Sequence, residues 1–179
     1  MARNRTLSLI LPAFGAAIIA ALAQIVIPIG AVPITLQTFA VGLVAAILKP
    51  REATLAATLY LILGAIGLPV FAGGGGGLQA FFGPSAGYLL AYPFFALVTS
   101  ALAHAKTPIW KIFLAFVLGD ALVFVGGILS LHFLGKMGWS AAVAVGLTPF
   151  IIPDLLKGLI VALVTKPVLK ALKNHSYFN

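Results

Sequence analysis

The sequence predicts an all-α integral membrane bundle of six transmembrane helices, a single domain spanning residues 1–179 with both termini in the cytoplasm. Three observations predict it. Of the 179 residues, 62% are hydrophobic and 8% charged, and the mean hydropathy is +1.17. Soluble domains carry roughly 25% charged residues, so this chain has too few charges to cover a water-facing surface. The apolar residues fall into six runs, at 7–29, 34–48, 53–68, 84–103, 112–134 and 147–164. The basic residues between those runs then gather on one side of the bilayer.

The first run follows Arg3 and Arg5. A cleavable targeting signal opens the same way, and Ala21-Leu22-Ala23 resembles a cleavage site. The apolar run continues past that point to Ile29, and the rest of the chain is equally membrane-like, so a first transmembrane helix is expected. Ala13, Ala17 and Ala21 recur at intervals of four, as do Gly42 and Ala46 in the second run. Small residues at this interval let another helix approach closely, and internal packing is the plain expectation from spacing alone. The second and third runs are shorter than the ~20 residues of a full span. They are predicted to tilt or to extend into adjoining loops. The segment 67–83, with glycines at all positions from 73 to 77, is an outer loop. The fourth run begins at Pro84, the fifth carries Asp120, and the sixth opens with Pro149 and Pro153 before Asp154 and Lys157. A basic tail, 166–179, closes the chain.

With both termini inside, Arg3, Arg5, Lys49, Arg51, Lys106, Lys111, Lys166, Lys170 and Lys173 are cytoplasmic, Lys136 is outside and Lys157 lies within a span. The reverse orientation would violate the positive-inside rule as strongly as this one obeys it. The formal net charge of +8 then reads as attachment to anionic lipid head groups, with no nucleic-acid role. Without cysteine, disulfides, thiolate metal sites and cysteine nucleophiles are excluded. No P-loop and no HExxH motif occurs, and the glycine run fails the dinucleotide spacing because position 78 is Leu. Ser85 lacks a convincing base, since His104 is assigned to the cytoplasmic side, His175 to the tail and His132 to the outer end of the fifth run. No enzyme, cofactor or metal is therefore expected.

Asp154 and Lys157 are three apart, so they share a helical face. Ionisable residues at membrane depth are rare and usually face a bundle interior or a wet cavity. Two readings stand: an ion pair that neutralises itself, or an outward-facing polar site for a ligand with an N–H-bearing head and an anionic tail. The glycine loop reads as a flexible connector or as a binding lid. Asp120 is either structural or part of a proton path.

Four motifs occur in order over about 125 residues: Val32-Pro33-Ile34-Thr35-Leu36-Gln37, Gly67 through Phe71 with the glycines that follow, Gly83 through Tyr88, and Pro153-Asp154-Leu155-Leu156-Lys157. Together they resemble BioY, the biotin-specific membrane subunit of energy-coupling factor (ECF) transporters. The resemblance implies a six-helix substrate-binding (S) component of the cytoplasmic membrane, with a biotin pocket facing outward under the glycine loop. It implies that Asp154 holds the ureido ring and Lys157 meets the carboxylate. It places Gln37, Phe71, Tyr88 and the loop residues Gly73, Gly74, Gly75 and Gly76 near the ligand. Some members have Asn where this chain has Gly75, and Arg where it has Leu89. The resemblance also implies that Ala13 and Ala17 form an A-x-x-x-A surface for the transmembrane coupling protein, with two cytoplasmic ATPases supplying energy. Dedicated modules, shared modules, and a solitary homo-oligomer all stay open. So do an S component for another vitamin and a non-transport membrane interaction protein.

Overall fold

The computed structural model describes residues 2–28, 32–103, 107–172 and 177, with side chains from residue 7 onward. Ile29, His104, Lys106, Lys173, His175 and the side chains of Arg3 and Arg5, all used in the topology reading, lie outside this description. Seven α-helices occur among the described residues: α1 (Ala2–Leu22), α2 (Gln37–Ile47), α3 (Pro50–Ala65), α4 (Ala86–Leu102), α5 (Ile109–Phe133), α6 (Trp139–Gly146) and α7 (Ile151–Leu172). A short hairpin, β1 (Val26–Ile27) with β2 (Ile34–Thr35), joins α1 to α2, pairing Val26 with Thr35 and Ile27 with Ile34. Each of the six predicted runs contributes a helix, and α6 is an addition.

The boundaries differ from the predicted ones for local reasons. The first helix stops at Leu22 rather than at 29. Ile25, Val26 and Ile27 are β-branched and precede Pro28, which suits an extended strand better than a helix. The segment 135–150, between the fifth and sixth runs, is punctuated by Gly135, Gly138, Gly146 and Pro149. Gly138 caps α6 and the chain bends by 43° before α7. α7 continues to Leu172, so Lys166 and Lys170 are helical rather than part of a loose tail.

Among the described residues, α5 alone is long and apolar enough to cross a bilayer, and α6 with α7 form a second, broken candidate. The 11 residues of α2 rise only ~16 Å, about half of the ~30 Å hydrocarbon layer. Large apolar side chains cover the outside of the bundle, among them Phe14, Phe94, Leu118, Ile152, Leu156 and Leu163. Such a surface suits lipid rather than water.

Tight crossings hold the helices together. Gly87 of α4 faces Gly126 of α5, and a Cβ on either would collide with the other's backbone. Phe95 and Phe116 meet edge-on with ring centroids 5.1 Å apart, and Phe116 also fills the space over Gly42 of α2 and Gly158 of α7. Gly15 of α1 sits against Ala56 and Val44. Ala13, Ala17 and Ala21, on another side of α1, are exposed, whereas Gly42 and Ala46 pack internally. Beyond α7, Tyr177 is buried against the α2–α3 corner. Its hydroxyl donates to Glu52 Oε2 (3.1 Å) and accepts the Lys49 backbone N–H (3.1 Å), with the Lys49 ammonium 4.8 Å from the ring centroid.

Candidate functional site

A cavity of about 440 Å³ opens between α2, α4, α5, α7 and the glycine loop. This volume falls within the ~300–1,000 Å³ of small-molecule sites. Gln37, Phe71, Gly75, Gly76, Tyr88, Asp154 and Lys157 line it, all of them expected from the sequence. Gly73 and Gly74 instead form the exposed turn of the loop, at φ +65° and +80°. Leu89 also lines the cavity and supplies an apolar wall.

The loop is ordered by its own backbone. Phe71 N–H donates to the Gly75 carbonyl (2.9 Å), and Gly77 N–H donates to the Gly64 carbonyl (2.7 Å). The left-handed angles at Gly73, Gly74 and Gly77 make this turn accessible without the strain that a Cβ would bring. The Gln24 side chain adds an anchor from the end of α1, its Nε2 reaching the carbonyls of Ala20 (3.0 Å), Pro69 (3.4 Å) and Phe71 (3.4 Å). These bonds give the loop a defined conformation where Phe71, Ala72, Gly75 and Gly76 line the cavity.

The Phe71 ring stands on Gly64, which leaves no room for a Cβ. It packs edge-on against Tyr60 (5.5 Å) and Phe81 (5.7 Å). Beneath it, Thr35 Oγ1 donates to Gln37 Oε1 (2.9 Å), and Gln37 Nε2 donates to the Tyr60 hydroxyl (2.6 Å). The Gln37 amide is therefore held in one orientation. The Tyr88 ring lines the cavity, while its hydroxyl donates to the Gly146 carbonyl (2.7 Å).

Asp154 and Lys157 form a buried ion pair one turn apart on α7, with Lys157 Nζ donating to Asp154 Oδ1. The first-turn position suits the carboxylate, because the helix N-terminus carries partial positive charge. Thr38 of α2 completes a triangle: it accepts from Lys157 Nζ (3.0 Å) and donates to Asp154 Oδ1 (3.1 Å). Among the described residues, Asp154 Oδ2 has no hydrogen-bond partner, and Lys157 uses two of its three N–H donors. One acceptor and one donor, side by side, thus stay available at a cavity wall. Sequence reasoning missed Thr38. The signal was present as three polar side chains, Thr35, Gln37 and Thr38, within four residues of an apolar chain.

Asp120 of α5 is buried, and its Oδ1 has no hydrogen-bond partner among the described residues. It does not line the cavity. Ser85 does, but no described histidine lines the cavity with it.

An apolar-coated helical bundle with a ligand-sized, partly polar cavity defines a membrane protein built around a small-molecule site. The chain belongs to the BioY family, whose model matches residues 1–174. It is 43% identical over 180 residues to "Biotin transporter BioY2" of Lactococcus lactis subsp. cremoris, covering 99% of both chains. It is 39% identical over 142 residues to "Biotin transporter BioY" of Thermotoga maritima, covering 79% of this chain and 83% of that one. Its fold matches the crystal structure of the S-component for biotin from an ECF-type ABC transporter, with TM-score 0.87 and 27% identity. That match covers 100% of this chain and 99% of the other.

Proposed function

We propose that this chain is a biotin-binding S component of an ECF-type transporter, set multi-pass in the cytoplasmic membrane with both termini inside. It captures biotin from the outer side and releases it inside, driven by a coupling protein and two ATPases. The observation that carries the proposal is the unspent pair at the cavity wall, Asp154 Oδ2 beside a free Lys157 N–H. A cyclic urea presents an N–H donor next to a C=O acceptor, which is the complement of that pair. Membership of the BioY family and similarity to biotin transporters support the same ligand.

The direct bond between Asp154 and Lys157 favours a division of labour other than the one the resemblance implied. Both side chains serve the ureido end, Asp154 accepting N–H and Lys157 donating to the carbonyl. The valerate carboxylate is then left to other polar groups of the lining, among them the backbone of Gly75 and Gly76 and the side chains of Gln79 and Ser85. Phe71, Tyr88 and Leu89 cover the thioether ring and chain, where burial contributes ~25 cal/mol per Å² of apolar area. The exposed Ala13 and Ala17 stripe of α1 offers a close-approach surface to the coupling protein.

The test is titration of detergent-purified protein with labelled biotin, followed by competition with riboflavin, thiamine and folate. Saturable biotin binding that the other vitamins do not displace is expected. Displacement by one of them would reassign the ligand, and absence of binding to any would leave the ion pair a structural one.

A further inference from the structure

We propose that Thr38 is the positioning residue of the cavity: its hydroxyl decides which Asp154 oxygen and which Lys157 proton are left for the ligand. The inference rests on the biotin reading above. An ion pair between residues one turn apart on the same helix does not fix itself. The carboxylate can rotate to offer either oxygen to the ammonium, and a lysine side chain has up to ~2 kcal/mol of rotamer freedom to lose. Thr38 acts from a different helix. Its side chain is buried and, being β-branched, stiff at χ1. A threonine hydroxyl has a single proton and two lone pairs. Here the proton goes to Asp154 Oδ1 (3.1 Å) and one lone pair takes a Lys157 N–H (3.0 Å). Oδ1 therefore receives two donors from one side, and Oδ2 is the oxygen that stays unspent. Without the hydroxyl the two oxygens become equivalent partners for Lys157, and the urea-reading edge loses its definition.

The experiment compares wild type, Thr38→Val and Thr38→Ser by biotin titration, with thermal unfolding as a check on folding. Two probes are added: 2-iminobiotin, altered in the urea head, and biotinamide, altered in the tail. Thr38→Val is expected to weaken biotin binding by about tenfold, the scale of a hydrogen bond to a charged group. It is expected to narrow the preference for biotin over 2-iminobiotin while leaving the biotin-to-biotinamide ratio unchanged. Thr38→Ser, which keeps the hydroxyl, is expected to stay within about threefold of wild type, well under that hydrogen-bond scale. Should Thr38→Val not purify folded, Thr38→Ala is read by the same criteria. Wild-type affinity in Thr38→Val, equal weakening in Thr38→Ser, or a loss shared evenly by all three ligands would overturn the role of Thr38 alone. A wild-type protein that does not bind biotin would overturn the functional reading and this inference with it.

Discussion

Tyr88 lines the cavity with its ring but turns its hydroxyl onto the Gly146 carbonyl, 2.7 Å away. The bond ties α4 to the end of α6, so the hydroxyl serves the fold. Tyr88→Phe is expected to keep biotin affinity within about threefold while lowering stability by ~1 kcal/mol, the cost of leaving a buried carbonyl without its donor. Parallel biotin titration and thermal unfolding check this. A loss of binding larger than the loss of stability would mean that the hydroxyl touches the ligand.

The ion pair predicts opposite orders for stability and binding. Asp154→Asn and Lys157→Met each break a buried pair, which costs ~3–5 kcal/mol when a single partner is removed. The double variant leaves no uncompensated charge and is expected to unfold at a higher temperature than either single one. Binding should fall by about 10- to 150-fold in each single variant and further in the double one, because each lost hydrogen bond to a charged group contributes ~1.5–3 kcal/mol. Recovery of biotin affinity in the double variant would exclude the pair from the site.

Phe71 over Gly64 offers a steric test of the loop. A methyl group at 64 would overlap the ring and force it to move, at ~1–3 kcal/mol for an overpacked contact. Gly64→Ala is therefore expected to weaken biotin binding by about tenfold, a value inside that range. Adding Phe71→Leu, which vacates the ring's volume, should restore stability but only part of the affinity. Binding by Gly64→Ala at the wild-type level would show that the ring position is immaterial to the site.

Many of these features were legible in the residues, and the gaps have identifiable causes. The helices announced themselves through apolar runs, and Asp154 and Lys157 through charge in a run that has no other use for it. The hairpin at Val26–Ile27 was not visible, because a β-branched apolar stretch reads equally as helix when a membrane is the expected solvent. α6 was missed because its eight residues are too few to show a period. The roles of Thr38 and Tyr60 depend on α2 lying against α7 and α3, a tertiary fact without a local signature. Tyr88 was placed near the ligand by the resemblance alone, and the direction of its hydroxyl depends on Gly146, 58 positions away.

The C-terminal contact makes a pH prediction outside the spans. Burial pushes the Tyr177 hydroxyl up from its ordinary value of 10.0 to about 12, with the neighbouring Glu52 acting in the same direction and the Lys49 backbone N–H opposing it. A raised folded-state value means that the unfolded chain loses this proton first. The stabilising contribution is complete below pH 10 and declines as pH rises towards 12. The difference in unfolding temperature between wild type and Tyr177→Phe is expected to be constant up to about pH 10 and to shrink above it. A difference that does not change across this window would place the hydroxyl in water.

The triangle of Thr38, Asp154 and Lys157 also bears on turnover. Its charges cancel and its strongest hydrogen bonds are internal, so the site keeps most of its polar groups satisfied after the ligand leaves. On the proposed reading, a neutral urea would add two contacts at the margin of this arrangement and take no ion with it. Discharge of the cargo therefore leaves behind no stranded charge that would have to be hydrated or neutralised before the next cycle. On the proposed reading, the site itself would need no recharging between the cycles that the coupling protein and ATPases drive.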